Sequence, residues 1–290
     1  MAVADNTEHN ITANVIKAFD GCADPRLRQV VQSLVRHLHA FVRDVELTDA
    51  EWLTAIEFLT ATGQMCDDKR QEFILLSDTL GVSMLVDAIN HRHHTGSTES
   101  TVLGPFYRTG ADELPLGANI VKGGGGEPVV VRGRVLAEQG SAIAGALLDV
   151  WEANEHGLYD VQDSARADMN LRGRFRTDGD GRFHFIAVKP VSYPVPDDGP
   201  VGKMLHASGR HPFRPAHIHF IVAAPGYLPV TTHLFVRGDP YLTSDAVFGT
   251  KTSLVVDFVR NDSRGDAARH GVVAPFYTVD YDFILNRAAL

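Results

Sequence analysis

The sequence predicts a mainly β chain, in which a β-sandwich or barrel follows a helical amino-terminal third. Apolar residues recur every three or four positions before residue 105, as they do in amphipathic helices. After residue 125, short β-branched and aromatic runs separated by turn signals take over. Irregular, proline-rich segments join these runs, and they do not alternate with helical patterns. This arrangement favours a sandwich or barrel over βαβ units.

The helical third begins with two amphipathic segments. Thr48 and Glu51 then have the spacing of a capping box, which marks the start of a third helix. A further helix is predicted over residues 73–90. The apolar stripe of the first two segments is formed by Val15, Ala18, Phe19, Leu27, Val30, Val31, Leu34 and Leu38.

Six runs after residue 125 predict strands, and Asp178-Gly179-Asp180-Gly181 predicts a tight turn before one of them. The segment 189–215 is rich in Pro, Gly and Asp and lacks periodicity, so it is predicted to be a functional loop. The predicted strands are Val129–Val135, Ala146–Trp151, Phe183–Val188, His217–Ala223, Thr231–Val236 and Leu254–Val259.

Composition narrows the class of protein. The 290 residues carry a formal net charge of −9, and no Lys/Arg block stands out, which argues against nucleic acid or an anionic membrane as a partner. The two cysteines, Cys22 and Cys66, are too few for a disulfide framework. No stretch approaches the roughly 18 apolar residues of a membrane span. We therefore expect a cytoplasmic protein.

A histidine pair is the strongest chemical signal. His217 and His219 precede the β-forming run Phe220-Ile221-Val222, and residues two apart in a strand point to the same side. Both imidazoles can therefore reach one metal ion. Tyr159 and Tyr193 upstream would complete a set of two histidines and two tyrosines. A phenolate is a hard anionic donor that favours Fe(III), whereas zinc prefers thiolate, imidazole and carboxylate.

Longer motifs around these residues resemble the intradiol ring-cleaving dioxygenases. Pro190-Val191-Ser192-Tyr193-Pro194-Val195-Pro196 and Arg214-Pro215-Ala216-His217-Ile218-His219 carry the resemblance, as does Asp149-Val150-Trp151-Glu152-Ala153-Asn154 with Gly157-Leu158-Tyr159. The helical third and Thr101-Val102-Leu103-Gly104-Pro105-Phe106-Tyr107 are similar to the catechol 1,2-dioxygenase branch, and most similar to its hydroxyquinol 1,2-dioxygenases. The resemblance spans roughly residues 10–285.

The resemblance implies a catalytic β-sandwich over residues 106–290, behind a helical linker and dimerisation region over residues 1–105. It also implies one non-haem Fe(III) per subunit, held by Tyr159, Tyr193, His217 and His219 and completed by hydroxide. Tyr193 and His219 would be axial. Two phenolates and one hydroxide balance three positive charges, so the centre would be neutral and could be buried at tolerable cost.

The resemblance also implies catalytic roles for Tyr193 and Arg214. A chelating diol would displace the hydroxide and Tyr193, which would leave with the two diol protons, so Tyr193 would serve as both ligand and base. Arg214 would stabilise negative charge on the ring during oxygen attack. On spacing alone, Arg214 could equally clamp a loop carboxylate. His233, in the strand after the metal pair, is a candidate contact that orients a ligand.

The resemblance also places a substrate pocket. Asp78 would separate hydroxyquinol from catechol, because a buried carboxylate is costly unless it is hydrogen-bonded, and the third hydroxyl of benzene-1,2,4-triol could supply that bond. Alternatively, Asp78 could cap or pair within the helical segment 73–90. The implied lining residues are Leu75, Asp78, Val102, Leu103, Gly104, Pro105 and Phe106 on one side and Val195, Pro196 and Val247 on the other.

The expected reaction is cleavage of hydroxyquinol by O2 to 3-hydroxy-cis,cis-muconate, the enol form of maleylacetate, in the breakdown of aromatic compounds. A catechol or chlorocatechol 1,2-dioxygenase is the near alternative, and a zinc hydrolase or a non-catalytic binding module the distant ones. The resemblance further implies a homodimer that pairs through the amino-terminal helices, with a phospholipid bound at the interface.

Overall fold

We describe a computed structural model of the chain over residues 5–67, 70–92, 96–163 and 168–288. The chain divides into two compact units, residues 1–61 and 62–290. The division at residue 105 between a dimerisation region and a catalytic region concerns function and stays a prediction. Within the described ranges, no helix combines the length and the hydropathy that crossing a membrane requires.

The amino-terminal helices begin at residues that suit helix starts. Pro25 occupies the first turn of the second helix, and the Asp24 carboxylate accepts hydrogen bonds from the next two N–H groups. The predicted capping box is confirmed: Glu51 Oε2 accepts from Thr48 N at 2.9 Å, and Thr48 Oγ1 accepts from Glu51 N at 3.3 Å. These helices are α1 Ile11–Ala18, α2 Pro25–Asp44 and α3 Asp49–Gln64.

The second unit contains α4 Glu72–Thr79, α5 Val82–His91, α6 Pro200–Ala207 and α7 Arg264–His270. The prediction of one helix over residues 73–90 was wrong. Gly81 has φ of +73°, a left-handed conformation that ends α4 and lets the chain turn before α5. The segment 189–215 is not a continuous loop, because α6 lies within it.

The strands of the second unit form two five-stranded sheets and a two-stranded ribbon. One sheet has the order β10-β11-β1-β12, with β4 also paired to β1, and the other has the order β3-β2-β7-β8-β9. The ribbon pairs β5 with β6. The strands are β1 Pro128–Ala137, β2 Leu147–Trp151, β3 Arg172–Arg176, β4 Arg182–Val188, β5 Tyr193–Pro194, β6 Phe213–Arg214, β7 His217–Ala223, β8 Val230–Val236, β9 Val255–Val256, β10 Val259–Asn261, β11 Phe276–Asp280 and β12 Phe283–Leu285.

One hydrophobic core lies between the two sheets, which confirms the predicted sandwich. Phe183 and Phe185 of β4 contribute from one sheet, and Leu148 and Val150 of β2 from the other. Side chains alternate along each strand, so every second residue of the sheet β3-β2-β7-β8-β9 points away from this core. That outer face carries the candidate site.

Five of the six predicted strands are confirmed to within two residues of their ends. The sixth, over residues 254–259, was wrong. A short 3-10 helix at Thr252–Leu254 leads into β9, which pairs with β8, whereas β10 pairs with β11 in the other sheet. The chain therefore crosses between sheets where a single strand was expected, a change that an apolar run does not reveal.

Candidate metal centre

Strand β7 presents two histidines on the outer face of its sheet. Ile218 and Phe220 belong to the hydrophobic core between the sheets. His217 and His219 alternate with them and therefore point the other way. Both imidazoles are buried, with exposed fractions of 1% and 2%. The strand pattern of the sequence alone predicts this placement.

The two tyrosines reach the histidines from other segments: Tyr159 from the turn region after β2, and Tyr193 from the short strand β5. After β2 the chain bends at Asn154, whose Oδ1 accepts hydrogen bonds from the backbone N–H groups of His156 and Leu158. Gly157 has φ of +78°, and a Cβ atom there would lie 2.6 Å from Tyr193 Cβ. Only glycine lets the turn that carries Tyr159 come this close to Tyr193.

The four predicted ligand atoms form a closed ring of short contacts. Tyr159 Oη lies 3.0 Å from Tyr193 Oη and 2.8 Å from His219 Nε2. His217 Nε2 lies 3.0 Å from His219 Nε2 and 3.4 Å from Tyr193 Oη. Atoms that bind one metal ion at about 2 Å lie about 3 Å from each other. The spacing of this set therefore fits a single ion.

The protonation state of the two histidines also suits metal binding. His217 Nδ1 donates a hydrogen bond to Pro215 O at 2.7 Å, so Nε2 keeps its lone pair toward the cluster. Burial holds the pKa of both imidazoles well below the usual value, and Arg214 and the neighbouring histidines lower the pKa of His219 further. Neutral imidazoles are the form that binds metals.

The phenols need a cation to ionise. Burial raises the pKa of Tyr159 well above its ordinary value, and Tyr193 adds to that rise, while Arg214 and Arg172 oppose it. Burial likewise raises the pKa of Tyr193, against the opposing effect of Arg214. A bound metal ion would supply the positive charge that stabilises the two phenolates.

Arg214 lies beside the cluster as a buried cation. Its Nη1 donates to His217 Nε2 at 3.3 Å, and its Nε donates to Asp245 Oδ1 at 3.2 Å. Burial alone would lower the pKa of Arg214, but Asp245 and the two phenols outweigh it, so the pKa rises and the guanidinium stays charged. The alternative reading is therefore met, because Arg214 pairs with the loop carboxylate of Asp245. The predicted stabilisation of negative charge on the ring stays a prediction.

A cavity of about 400 Å³ opens next to the tyrosines. Leu158 and Pro194, the chain neighbours of Tyr159 and Tyr193, form part of its wall. The Phe106 ring stacks on the Tyr159 ring, with centroids 4.5 Å apart. Five of the predicted substrate residues line this cavity: Leu75, Pro105, Phe106, Val195 and Pro196.

Comparison with known proteins gives the family. Residues 104–287 match a sequence model described as dioxygenase, and residues 24–98 match one described as the catechol dioxygenase N terminus. The chain belongs to the intradiol dioxygenases. This family is known for non-haem iron, with which the histidine cluster is compatible.

The relatives of this intradiol dioxygenase include enzymes named for hydroxyquinol. Over 282 residues it is 52% identical to the hydroxyquinol 1,2-dioxygenase of a Rhizobium species, covering 97% of this chain and 96% of the relative. It is 50% identical to a 6-chlorohydroxyquinol 1,2-dioxygenase of Cupriavidus pinatubonensis, covering 96% and 97%. A solved hydroxyquinol 1,2-dioxygenase from Pseudomonas putida superposes with a TM-score of 0.91 at 50% identity, covering 97% of this chain and 99% of the other.

The other five predicted substrate residues of the dioxygenase do not line the 400 Å³ cavity. A Cβ atom on Gly104 would lie 3.3 Å from His219 Cε1, so the backbone at Gly104 lies against the predicted ligand His219. Val102 and Val247 are buried, whereas Leu103 is 42% exposed. Asp78 is buried and near enough to Arg214 for the guanidinium to lower its pKa.

The environment of Asp78 partly matches the alternative drawn from the sequence. Burial raises the pKa of the Asp78 carboxyl, and a hydrogen bond from Ser83 and the charge of Arg214 lower it. Ser83 belongs to α5, so Asp78 does have a partner within the segment 73–90. The carboxyl also lies within electrostatic range of Arg214 and Asp245, on the side of the metal centre.

His233 forms a third imidazole at the cluster. Suitable ligand atoms of His217, His219 and His233 all lie within 4.8 Å of one another. His233 Nδ1 contacts Thr101 Oγ1, whereas His233 Nε2 and His219 Nδ1 are buried without a hydrogen-bond partner. The predicted role of His233 in orienting a ligand stays a prediction.

Sequence reasoning missed the carboxylates that hold the site. Asp245 lies 31 residues after Arg214, and Asp160 forms an ion pair with Arg172, 12 residues away. These pairings depend on how the strands associate. The sequence offers one signal for Asp160, because this residue directly follows the predicted ligand Tyr159.

Proposed function

We propose that this intradiol dioxygenase cleaves hydroxyquinol, benzene-1,2,4-triol, with O2 between its adjacent hydroxylated carbons. The product is 3-hydroxy-cis,cis-muconate, the enol form of maleylacetate. The observation that carries this assignment is the identity of 50% to 52%, over nearly the full length, to enzymes named for hydroxyquinol and chlorohydroxyquinol. Catechol or chlorocatechol remains the second candidate substrate, and Asp78 is the residue that separates the two.

The proposed iron ligands are Tyr159, Tyr193, His217 and His219. The mutual contacts of 2.8–3.4 Å, the neutral imidazoles and the two phenols support one Fe(III) per subunit. When bound, iron in this state would act as a Lewis acid and template that makes a chelated diol reactive toward O2, without an external reductant.

Tyr193 is the proposed base. Its Oη lies between Tyr159 Oη and His217 Nε2, and burial raises its pKa. A phenolate with a raised pKa takes up a proton readily once a competing anionic ligand replaces it. Tyr193 Oη would therefore receive a hydroxyl proton from the diol and keep it in the buried site.

Arg214 is the proposed electrostatic catalyst. Its guanidinium is buried, stays charged and is fixed by Asp245, and its Nη1 is 3.3 Å from His217 Nε2. A pre-placed cation in a site that excludes water stabilises developing negative charge more strongly than it would in solution. We assign to Arg214 the stabilisation of the ring anion.

Asp78 is the proposed specificity residue. Catechol lacks the third hydroxyl, so it would leave the buried carboxyl without the bond that the triol supplies. Buried polar groups that lose a partner carry a large penalty, and a site built for a hydroxyl therefore rejects the analogue without it.

O2 uptake tests the function directly. Initial rates with benzene-1,2,4-triol and with catechol are compared for iron-loaded wild type and for Tyr193→Phe, which controls for autoxidation of the triol. We expect a preference for the triol that Tyr193→Phe abolishes or severely reduces. A preference for catechol would keep the iron site and overturn the substrate. No protein-dependent uptake would overturn the function.

We further infer that two copies pair through α2 and hold a phospholipid at the interface. Five apolar side chains of α2 are 46–61% exposed, and they recur at the spacing of one helix face: Leu27, Val30, Leu34, Leu38 and Phe41. A cytoplasmic location stays a prediction.

A further inference from the structure

A second buried guanidinium stands behind the candidate site. Arg172 opens β3 and is only 2% exposed. In the strand register Arg172 lies opposite Trp151, and Trp151 lies opposite His219. Arg172 is therefore in the same row of the sheet as a proposed iron ligand, two strands away.

The guanidinium joins two segments of the site. Arg172 Nε and Nη2 donate to Asp160 Oδ1 at 2.8 and 2.5 Å. Arg172 Nη2 also donates to the backbone oxygen of Phe106 at 2.7 Å. Asp160 directly follows Tyr159 in the chain, so the contacts of Arg172 lie next to a proposed ligand on one side and at a cavity residue on the other.

Asp160 is itself held in place. Its side chain is completely buried, and Oδ2 accepts from Arg108 Nη1 at 2.7 Å and from Met169 N at 3.2 Å. The carboxylate thus has hydrogen-bond donors on both oxygens. In a buried ion pair of this kind, removal of one partner leaves a charge without compensation.

The two segments also meet through their rings. Phe106 stacks on Tyr159 with an interplanar angle of 22°, and Phe106 lines the 400 Å³ cavity. A shift of the Phe106 backbone would therefore move a wall of the cavity and the ring packed on the phenol together. Arg172 joins the two segments, because it donates to the Asp160 carboxylate in one and to the Phe106 backbone oxygen in the other.

Building on the hydroxyquinol function proposed above, we propose that Arg172 is a positioning residue that fixes the Phe106 ring against Tyr159. Through Asp160 and Phe106 O it sets the distance between the cavity wall and the metal-side phenol, and so the space for a planar aromatic triol. Arg172 acts through these two residues and does not itself touch substrate.

The charge of Arg172 adds a measurable signature. Arg172 is a buried cation that is hydrogen-bonded to Asp160, the chain neighbour of Tyr159. A nearby positive charge lowers the energy of phenolate electrons, so its removal moves the tyrosinate-to-iron charge-transfer band to longer wavelength. Lysine keeps the charge but cannot reproduce the planar fork that binds Asp160 and Phe106 O together.

The test uses three iron-loaded variants of the full chain. Arg172→Met removes charge and fork, and Arg172→Lys removes the fork alone. Arg176→Met is the matched control, because Arg176 lies on the same strand but pairs with the exposed Glu113. The band is recorded without substrate, and kcat and KM are then measured for the triol.

We expect Arg172→Met to shift the band to longer wavelength and to lower kcat/KM roughly tenfold, mainly through KM, as loss of a charge-assisted hydrogen bond does. Arg172→Lys should keep the band position and still raise KM. If Arg172→Met is too unstable to purify, Arg172→Lys carries the test. Variants of Arg172 that match Arg176→Met in both band and KM would overturn the proposal.

A double-mutant cycle separates positioning from general loosening. If Arg172 acts through the Phe106 ring, the combination of Arg172→Lys with Phe106→Leu should raise KM by clearly less than the product of the single effects. Multiplied effects would contradict the coupling. A protein that oxidises catechol but not the triol would reject the hydroxyquinol function, and the same cycle measured with catechol would then test the positioning role separately.

Discussion

Asp78, the proposed specificity residue, is a buried carboxyl whose burial affects stability. Its exposed fraction is 3%, and burial raises its pKa above the value it has in the unfolded chain. The folded state therefore holds the proton to higher pH than the unfolded state does. By linkage, the free energy of unfolding falls as pH rises from the unfolded pKa through the folded pKa.

Asp78→Asn should remove this fall in the free energy of unfolding with rising pH. We expect the variant to match wild type in melting temperature at acidic pH, below the unfolded pKa, and to exceed it increasingly toward neutral pH. Thermal melts from about pH 3 to pH 8, with the surface variant Asp257→Asn as control, measure the difference. A difference that does not change with pH would contradict the prediction.

The same variant should weaken selectivity. Asparagine presents a neutral amide to the third hydroxyl of the triol, so the ratio of kcat/KM for the triol to that for catechol should fall about tenfold. An unchanged ratio would assign Asp78 to its hydrogen bond with Ser83 in α5 and not to the substrate.

At the scale of elements, the turn between β2 and Tyr159 brings the two tyrosines together. Gly157 has φ of +78°, and a Cβ there would meet Tyr193 Cβ at 2.6 Å. Gly157→Ala should displace Tyr193, so we expect loss of most of the charge-transfer band and of activity, with reduced iron content. Absorption spectra and metal analysis of iron-reconstituted protein check this.

Gly140→Ala is the matched control for that turn. Gly140 has φ of +81°, and nothing lies within 4 Å of the position of its Cβ. Both variants carry the backbone strain of alanine at positive φ, on the order of 1 kcal/mol. If the two variants lose band and activity equally, strain rather than the contact with Tyr193 explains the effect.

The elements also show what sequence can and cannot predict. The alternation in β7 predicts that His217 and His219 share a face, because the period of a strand is local. The sequence pattern does not reveal the break between α4 and α5 at Gly81, because the apolar spacing continues across it. The sequence pattern also does not reveal β3, because the segment Arg172-Gly173-Arg174-Phe175-Arg176 is mostly polar. Arg172 can be buried there only because Asp160 and Phe106 O, from other parts of the chain, provide its hydrogen-bond partners.

At the scale of the second unit, the hydrophobic core and the candidate metal centre lie on opposite faces of one sheet. One face of the sheet β3-β2-β7-β8-β9 forms the hydrophobic core, and the other carries the metal-side histidines with Trp151 stacked on His219 at 4.6 Å. The second sheet has no part in the cluster, but it covers the core face and so fixes which residues point outward. The donor geometry therefore depends on the whole sandwich, although the ligand types could be read from four residues.

At the scale of the whole molecule, the exposed apolar face of α2 predicts a dimer. Leu34 is 61% exposed at the centre of that face. We expect wild type to have a mass of twice 31.7 kDa in light scattering after size-exclusion chromatography. Leu34→Glu should bring it to a single chain, because a carboxylate buried in an apolar interface has no partner.

Gln29→Glu is the matched control for this change, since it adds the same charge to an exposed position of α2. It should leave the mass at that of two chains. Extraction of the wild-type protein into organic solvent, followed by mass spectrometry, should release a phospholipid that the Leu34→Glu protein no longer holds. If Leu34→Glu keeps the mass of wild type, α2 does not form the interface, and its apolar residues must be covered in another way.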